Sequence, residues 1–187
     1  YYSGHGMPDE ANHNAYLLPV DGYSTDPQSG VSTGDFYKLL SELNTQQTLV
    51  LLDACFSGAK REGGMMQAAR GIAIKAKQGP VVGNNMVVFS AATGDETAWP
   101  LKEKEHGLFT YHLIQQLNKH NGCISLGELS DSVTAEVRRA SMLDNGKMQT
   151  PTISAPANST EWRNWMLADE PAKRYETMPK VQAVVAS

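Results

Sequence analysis

A histidine and a cysteine, His5 and Cys55, are the side chains of this sequence best suited to covalent chemistry. His5 lies in residues 1–6 (YYSGHG) and Cys55 in residues 53–58 (DACFSG), so fifty positions separate the two side chains. Each lies in a glycine-containing turn that follows an apolar run. A cysteine attacks carbonyl groups as the thiolate, and a neighbouring imidazole supplies or stabilises that state. The pair therefore predicts a nucleophile and an acid/base group that meet in one site.

Neither residue carries this interpretation alone. A cysteine after an apolar strand is most often a small buried residue, and Cys55 by itself would be assigned to the core. The histidine motif favours catalysis, because a catalytic cysteine needs a histidine elsewhere in the chain as its partner. Asp53 is open to two interpretations. It lines a binding site beside Cys55, or it only orders the turn, as acidic residues after strands often do.

Composition and charge argue against several classes of function. The chain has 187 residues, 41% of them hydrophobic, which suits one domain with an ordinary core and a tail. Its net charge is -4 and its sixteen basic residues are scattered, which argues against nucleic-acid binding. No apolar run approaches the ~18 residues of a membrane helix, so no membrane partner is expected. The two cysteines, Cys55 and Cys123, form neither a disulfide framework nor a zinc site. This cysteine usage favours a reducing, cytoplasmic compartment but leaves the localisation open.

Apolar patterns predict three short strands, over residues 16–20, 48–52 and 86–90. The run at 48–52 has no polar alternation, which is typical of a strand buried on both faces in a parallel sheet. The piece at 16–20 is closed by a turn at Asp21. The runs at 48–52 and 86–90 are predicted to be buried strands of the sheet, and 16–20 is predicted only as a short extended piece.

Helical periodicity predicts three helices between and after these strands. The first begins near Thr33, the second covers residues 107–120, and the third runs over residues 125–145. The third begins with capping-box spacing, a serine followed three residues later by a glutamate. The first helix is expected to bury one apolar face, formed by Phe36, Leu39, Leu40 and Leu43.

Strands that alternate with helices predict an α/β fold, a three-layer αβα sandwich whose mainly parallel sheet has helices on both faces. Functional groups of such sheets collect beyond the carboxyl ends of the strands, and His5 and Cys55 each follow a predicted strand directly. Tyr1 and Tyr2 look like the end of a strand, with no initiator methionine before them. We therefore expect earlier strands of the same domain on a missing segment, or on a separate chain.

Residues 1–158 are predicted to form this domain, and residues 159–187 a C-terminal extension or linker. Residues 59–85 are rich in glycine and basic residues, and a loop of this length inside a domain is usually functional or mobile. Trp162 and Trp165 are interpreted as a hydrophobic patch that covers the sheet rather than as a ligand site.

The histidine and cysteine motifs closely resemble the catalytic motifs of the caspase and metacaspase superfamily of cysteine peptidases, in particular bacterial caspase-like proteins and metacaspases. Residues 89–92 (FSAA), 95–98 (DETA) and 106–110 (HGLFT) extend the similarity, which covers roughly residues 1–155. The fifty-residue interval between histidine and cysteine is a known signature of caspases. The resemblance implies a caspase-haemoglobinase-like fold, in which further strands and helices precede the histidine motif.

By this resemblance, His5 is the acid/base and Cys55 the nucleophile of a peptide-bond hydrolase. The backbone N–H groups of Gly6 and Cys55 are expected to bind the oxyanion of the tetrahedral intermediate. Glycine suits position 6, because a side chain there would crowd the approach to the cysteine. The family does not rely on a strong third catalytic residue, and we predict none.

Two departures from the caspase pattern bear on specificity. Caspases carry a glutamine two positions before the nucleophile and an arginine in the downstream loop; here these positions hold Asp53 and, by our alignment, Trp99. An acidic pocket favours Lys or Arg at the cleaved position, as in metacaspases, because a substrate aspartate beside Asp53 would place like charges together. Asp95, with its neighbour Glu96, either lines this pocket or, as we favour, orders its loop.

The region after the nucleophile is often cut during maturation in this family. The basic residues of the 59–85 loop would be substrates for a protease with basic specificity, so self-cleavage is expected there. The candidate sites are Arg61, Arg70, Lys75 and Lys77. The same loop is also compatible with a solvated linker.

Three functions stay open from the sequence. The first is a cysteine endopeptidase that cuts after Arg or Lys; the alternatives are a catalytically silent caspase-like interaction module and an active peptidase with Asp specificity. Protein or peptide substrates are the expected partners, and we expect a monomer, although caspases dimerise through an edge strand. No cofactor is required by this mechanism. Several metacaspases need calcium, so calcium activation stays open, but no stretch resembles an EF-hand loop and we predict no metal site.

Overall fold

A mixed β-sheet and three α-helices organise the part of the chain that the structure describes. This structure is a computed structural model, and it describes residues 1–9, 14–23, 26–56, 83–93, 96–101, 106–157 and 159–170. The elements in chain order are β1 (Tyr2–Ser3), β2 (His5–Pro8), β3 (Ala15–Leu18), β4 (Val31–Ser32), α1 (Thr33–Ser41), β5 (Thr48–Asp53), β6 (Met86–Ser90), β7 (Pro100–Leu101), β8 (His106–Gly107), α2 (Leu108–Lys119), α3 (Leu126–Asn145) and β9 (Thr152–Ser154). Short 3-10 helices cover Pro27–Ser29 and Glu161–Asn164.

The main sheet has the strand order β1-β5-β6-β9. β1, β5 and β6 run parallel, and β9 runs antiparallel to β6. The parallel strands and their helices confirm the predicted α/β fold with a mainly parallel sheet. The pattern of residues after position 150 was too weak to predict β9, a three-residue strand of half-buried side chains.

Side chains of the two central strands alternate between two apolar cores, one on each face of the sheet. On β6, Val87 and Phe89 pack with α2 and α3, and the ring of Phe89 meets Phe109 edge to face at 4.8 Å between centroids. Met86 and Val88 point to the other face, into the core that α1 covers. This alternation produces the three layers, and it explains why residues 49–52 of β5 and 86–89 of β6 are all apolar.

The prediction of which face of α1 is buried is wrong in part. Leu39 is 63% exposed and Leu43, which lies beyond the end of the helix, is 52% exposed. The helix instead turns Thr33, Tyr37 and Leu40 towards the sheet. These three follow the i, i+4, i+7 spacing of one helical face, and this places Leu39 on another side of the helix. Burial also raises the pKa of Tyr37 to about 12.

A second, smaller sheet begins where the chain leaves β1. β2, β3 and β4 pair antiparallel in that order, with His5 opposite Leu18 and Tyr16 opposite Ser32. The predicted extended piece at 16–20 corresponds to β3 in this sheet. The chain therefore passes from the main sheet to the small sheet between Ser3 and His5.

The segment around Glu161–Asn164 packs against the beginning of α3. Trp162 and Trp165 lie against the core shared by α2 and α3, and the Leu126 N–H donates to the Trp165 carbonyl at 2.8 Å. The backbone of Arg163 approaches Gly127 so closely that a side chain there would need the backbone to move. Among the described residues, none of the helices combines the length and the hydrophobicity that a bilayer-spanning helix needs.

Both ends of α3 carry the predicted caps. At its start, the Ser125 hydroxyl accepts from the Glu128 N–H while the Glu128 carboxylate accepts from the Ser125 N–H, a complete capping box. These hydrogen bonds lower the pKa of Glu128, so the cap weakens as the pH falls through that pKa. At its end, Gly146 adopts the left-handed conformation with φ 63.

Removal of the Ser125 hydroxyl tests this cap. Ser125→Ala is expected to lower the free energy of unfolding by about 0.5–2 kcal/mol, because an amide at the helix start loses its acceptor. Urea denaturation measures the change. Ser132→Ala, inside α3, is the control and leaves stability unchanged or slightly higher, since alanine is the better helix former. Equal losses in both variants would contradict the role of the cap.

Candidate active site

The histidine and cysteine motifs meet at the carboxyl ends of β1 and β5. These strands are parallel neighbours with Ser3 opposite Asp53, and the Gly4 N–H continues the ladder by donating to the Asp53 carbonyl at 3.2 Å. Two residues further along each strand lie His5 and Cys55. The structure therefore brings together the two chain segments that the sequence analysis paired.

Gly6 shows how closely the two segments approach. A Cβ built on Gly6 would lie 2.5 Å from the Cys55 carbonyl oxygen and 2.5 Å from the Phe56 ring. Any residue other than glycine would require a backbone shift there. The observed reason for glycine at this position is its contact with the Cys55 carbonyl and the Phe56 ring. The role of Gly6 in binding the oxyanion stays a prediction.

Tyr2 holds the backbone of the histidine in place. Its hydroxyl lies 2.9 Å from the His5 carbonyl and 3.0 Å from the Leu18 carbonyl, and it donates to this pair of acceptors. Its ring covers Gly4, where an added Cβ would lie 2.6 Å from the tyrosine oxygen. Burial raises the pKa of Tyr2, so the donor stays protonated. The His5 side chain itself is exposed to solvent.

The Cys55 thiol is buried against the main chain of Ala98. Cys55 is 8% exposed, and its Sγ accepts a hydrogen bond from the Ala98 N–H at 2.9 Å. The S–H donates to the Ala98 carbonyl at 3.4 Å. A hydrogen bond from an N–H group stabilises a sulfur anion more than a neutral thiol. Ala98 is therefore part of the electrostatic environment of the thiol.

Asp53 lies fully buried behind the wall of a cleft. The Thr110 hydroxyl donates to Asp53 Oδ2 at 2.5 Å, and Tyr1 OH lies 2.7 Å from the same Thr110 oxygen. Because the single Thr110 proton is used on Asp53, Tyr1 donates to Thr110. A Cβ on Gly107 would overlap Asp53 Oδ2. The cleft has a volume of about 280 Å³, and its walls include Tyr1, Ser3, Pro100, Leu101, His106, Gly107 and Thr110.

A comparison with known protein families identifies the family of this chain. The family model for the caspase domain matches residues 1–161, most of the chain. The chain belongs to the caspase-domain family. This membership confirms the resemblance inferred from the two motifs and the fold class that it implied, and it makes the chain a member of a family of cysteine peptidases. No curated protein matches the chain at a significant level.

Trp99, in the loop after β6, contacts residues that follow α3. The Trp99 N–H donates to Gln149 Oε1 at 2.8 Å, and Lys147 Nζ lies 5.6 Å from the centre of its ring. Next along the chain, Pro100 and Leu101 line the cleft. The role of Trp99 in substrate binding stays a prediction, because these contacts do not test it.

Glu96 orders this loop by accepting hydrogen bonds from both the N–H and the hydroxyl of Thr150, at 2.5 and 3.1 Å. Other predicted site residues lie outside the described part of the chain. They are Asp95 and the candidate cleavage sites Arg61, Arg70, Lys75 and Lys77. Among the described residues, no group of three or more metal-binding side chains comes together.

Sequence reasoning missed the contributions of Ala98, Gly107 and Thr110. Ala98 acts through its backbone, so its side chain carries no signal. Gly107 and Thr110 lie in the HGLFT stretch, which the sequence analysis noted only as a family resemblance. Strand alternation offered one further signal: Asp53 and Cys55 are two residues apart, and continued strand geometry turns both to the face covered by α2.

The close approach at Gly6 is tested by adding a single methyl group. Gly6→Ala is expected to lower the free energy of unfolding by about 1–3 kcal/mol, because the methyl overpacks the contact with Cys55 and Phe56. Thermal and urea unfolding measure the loss. Gly34→Ala is the matched control: its Cβ would lie 3.6 Å from Ser32 Oγ, in the first turn of α1, so stability is retained. A Gly6→Ala protein as stable as the control would refute the close approach.

Proposed function

We propose that this caspase domain is an active cysteine endopeptidase that hydrolyses peptide bonds after Arg or Lys. The observation that carries the proposal is the buried carboxylate of Asp53, two residues before Cys55 and directly behind the cleft wall formed by Gly107 and Thr110. Membership of the caspase-domain family supports peptide hydrolysis in general. The acidic residue supports the basic specificity.

In the proposed reaction, the Cys55 thiolate attacks the carbonyl carbon of the scissile bond. The oxyanion is stabilised by the backbone N–H groups of Gly6 and Cys55, whose chain segments are in contact. His5 donates a proton to the leaving amine as the C–N bond breaks, which leaves a thioester on Cys55. His5 then takes a proton from water, the hydroxide adds to the thioester, and the carboxylic acid departs as the thiolate is restored.

The specificity follows from the charge behind the cleft. A substrate guanidinium or ammonium group in the cleft is attracted to the Asp53 carboxylate, and low exposure to water keeps this attraction from being screened. A substrate aspartate in the same place would meet a like charge. The Tyr1–Thr110 hydroxyl pair adds polar groups to the wall, so the donor groups of a basic side chain find acceptors there.

Paired fluorogenic peptides that differ only at the cleaved position test this proposal. The wild-type chain is expected to hydrolyse the Arg and Lys peptides and to leave the Asp peptide uncut, while Cys55→Ala hydrolyses none. Asp53→Asn keeps the size of the side chain but removes its charge. We expect it to lower kcat/KM for the Arg peptide by at least about 30-fold, the lower end of the loss for a buried charge partner.

The matched control is Asp131→Asn, which also removes one carboxylate charge. Asp131 lies on α3 and pairs with Arg163 at the surface, where water screens its charge, so kcat/KM should not change. Preference for the Asp peptide would contradict the proposed specificity and favour aspartate specificity. Failure to cut any of the peptides would favour the silent interaction module.

We also propose that the active enzyme cuts itself within the 59–85 loop. The basis is the sequence alone, in which the predicted specificity matches basic residues between positions 59 and 85. Incubated wild-type protein is expected to yield fragments that end at Arg61, Arg70, Lys75 or Lys77, identified by intact mass. Cys55→Ala protein should stay intact. An uncut wild-type chain in a preparation that still hydrolyses the Arg peptide would reject self-cleavage but not the peptidase activity.

A further inference from the structure

Gln149 is a fully buried polar residue beside the loop that contacts the cysteine. Its side-chain Nε2 donates to the Ala91 carbonyl at 2.8 Å, and its Oε1 accepts from the Trp99 N–H at 2.8 Å. One amide side chain therefore holds both ends of the segment 91–99. A buried amide is costly unless its donor and acceptor are both used, and here both are used.

The peptide unit between Ala98 and Trp99 links this glutamine to the thiol. In a trans peptide the N–H and C=O groups point in opposite directions. The N–H of this unit, on Trp99, points to Gln149, and its C=O, on Ala98, lies 3.4 Å from Cys55 Sγ. Gln149 and Cys55 thus contact opposite edges of the same planar peptide unit. The Ala98 N–H, which lies 2.9 Å from Sγ, belongs to the preceding 97–98 peptide, and the shared Ala98 Cα ties its position to that of the 98–99 plane.

We propose that Gln149 is a positioning residue that holds the 98–99 peptide against Cys55 and so keeps the Ala98 N–H on the sulfur. This inference rests on the proposed function in one respect, that Cys55 is the reacting nucleophile. Gln149 does not touch the reacting atoms; it acts through the backbone. The Ala98 N–H belongs to the preceding 97–98 peptide and is closer to Sγ than the Ala98 carbonyl is, so the net effect of these two backbone groups is to favour the sulfur anion.

Neighbouring contacts anchor the glutamine itself. The Gln149 N–H donates to the buried Ser141 hydroxyl of α3 at 3.0 Å, and the next residue, Thr150, binds Glu96 of the same loop. The end of α3 and the approach to β9 therefore hold residue 149 from outside the loop. The two Thr150 bonds to Glu96 and both side-chain bonds of Gln149 do not depend on Ser141, so the Ser141 contact contributes to stability rather than to the orientation of the loop at the thiol.

The test measures the reactivity of Cys55 without a peptide substrate. Full-length wild-type and Gln149→Met chains are alkylated with iodoacetamide across a pH series, and mass spectrometry of the Cys55 peptide separates it from Cys123. Methionine keeps the length of glutamine but makes neither hydrogen bond. We expect the pH midpoint of Cys55 alkylation to rise by about one unit, with roughly 10-fold slower alkylation near neutral pH, because a donor to the anion is no longer held in place.

Ser141→Ala is the matched control, because it removes a buried hydrogen bond to the Gln149 backbone but leaves both side-chain bonds to the loop. It is expected to lower the unfolding temperature and to leave the alkylation midpoint unchanged. The titratable groups on the surrounding elements, His5, Asp53 and Glu96, are the same in all variants. A difference between the Met and Ala variants therefore reports on the 98–99 peptide rather than on stability.

An unchanged midpoint in Gln149→Met would overturn the proposal and reduce Gln149 to a structural residue. If that variant does not unfold cooperatively, Gln149→Asn replaces it; its amide is one methylene shorter and cannot span Ala91 and Trp99 at their present distances. The same rise is expected, and its absence likewise overturns the proposal. The midpoint of the Gln149 variant could rise while the wild-type chain cleaves neither Arg nor Lys peptides. That result would support the positioning role and reject only the proposed peptidase function.

Discussion

The parallel pairing of β1 with β5 is the interaction on which the rest of the site depends. Only two residues of β1 take part, and the ladder extends by one more hydrogen bond, from the Gly4 N–H to the Asp53 carbonyl. That short ladder brings together two segments fifty residues apart in the sequence, and each carries one residue of the expected catalytic pair. A shift of one residue in this register would turn side chains to the opposite face and separate the histidine from the cysteine.

Around this pairing, the site is supported mainly by backbone contacts. Gly6 lies against the Cys55 carbonyl, the thiol lies against the Ala98 peptide, and Tyr2 binds the His5 carbonyl. Buried side-chain hydrogen bonds connect these contacts to the helices: Thr110 on α2 to Asp53, and Gln149 after α3 to the loop after β6. Fully paired polar groups in a dry interior resist rearrangement, because breaking one leaves another unsatisfied. The arrangement suits a nucleophile that must keep one orientation.

Long, strongly patterned elements were predictable from the sequence. The strand at 86–90, the helix bounded by Gly107 and His120, and the capped helix from Ser125 all appear as predicted, because local periodicity and capping chemistry determine them. Short strands were not predictable. β7, β8 and β9 have two or three residues each, too few for a period to show. The buried face of α1 was only partly predictable, since several apolar faces were available and the sheet selects one.

The sequence by itself determined which residue types can react and the family to which they belong, because the histidine and cysteine motifs are local and their interval is a number along the chain. The tertiary structure alone decided what surrounds them. Asp53 lies behind Thr110 and Gly107, and the thiol lies on the backbone of Ala98, because helices and loops distant in sequence pack on one face of β5. The contacts at Gly107 and Ala98 involve backbone atoms, which every residue type has, and the bond from Thr110 to Asp53 depends on how α2 packs against β5. No pattern of side chains along the chain therefore predicts them.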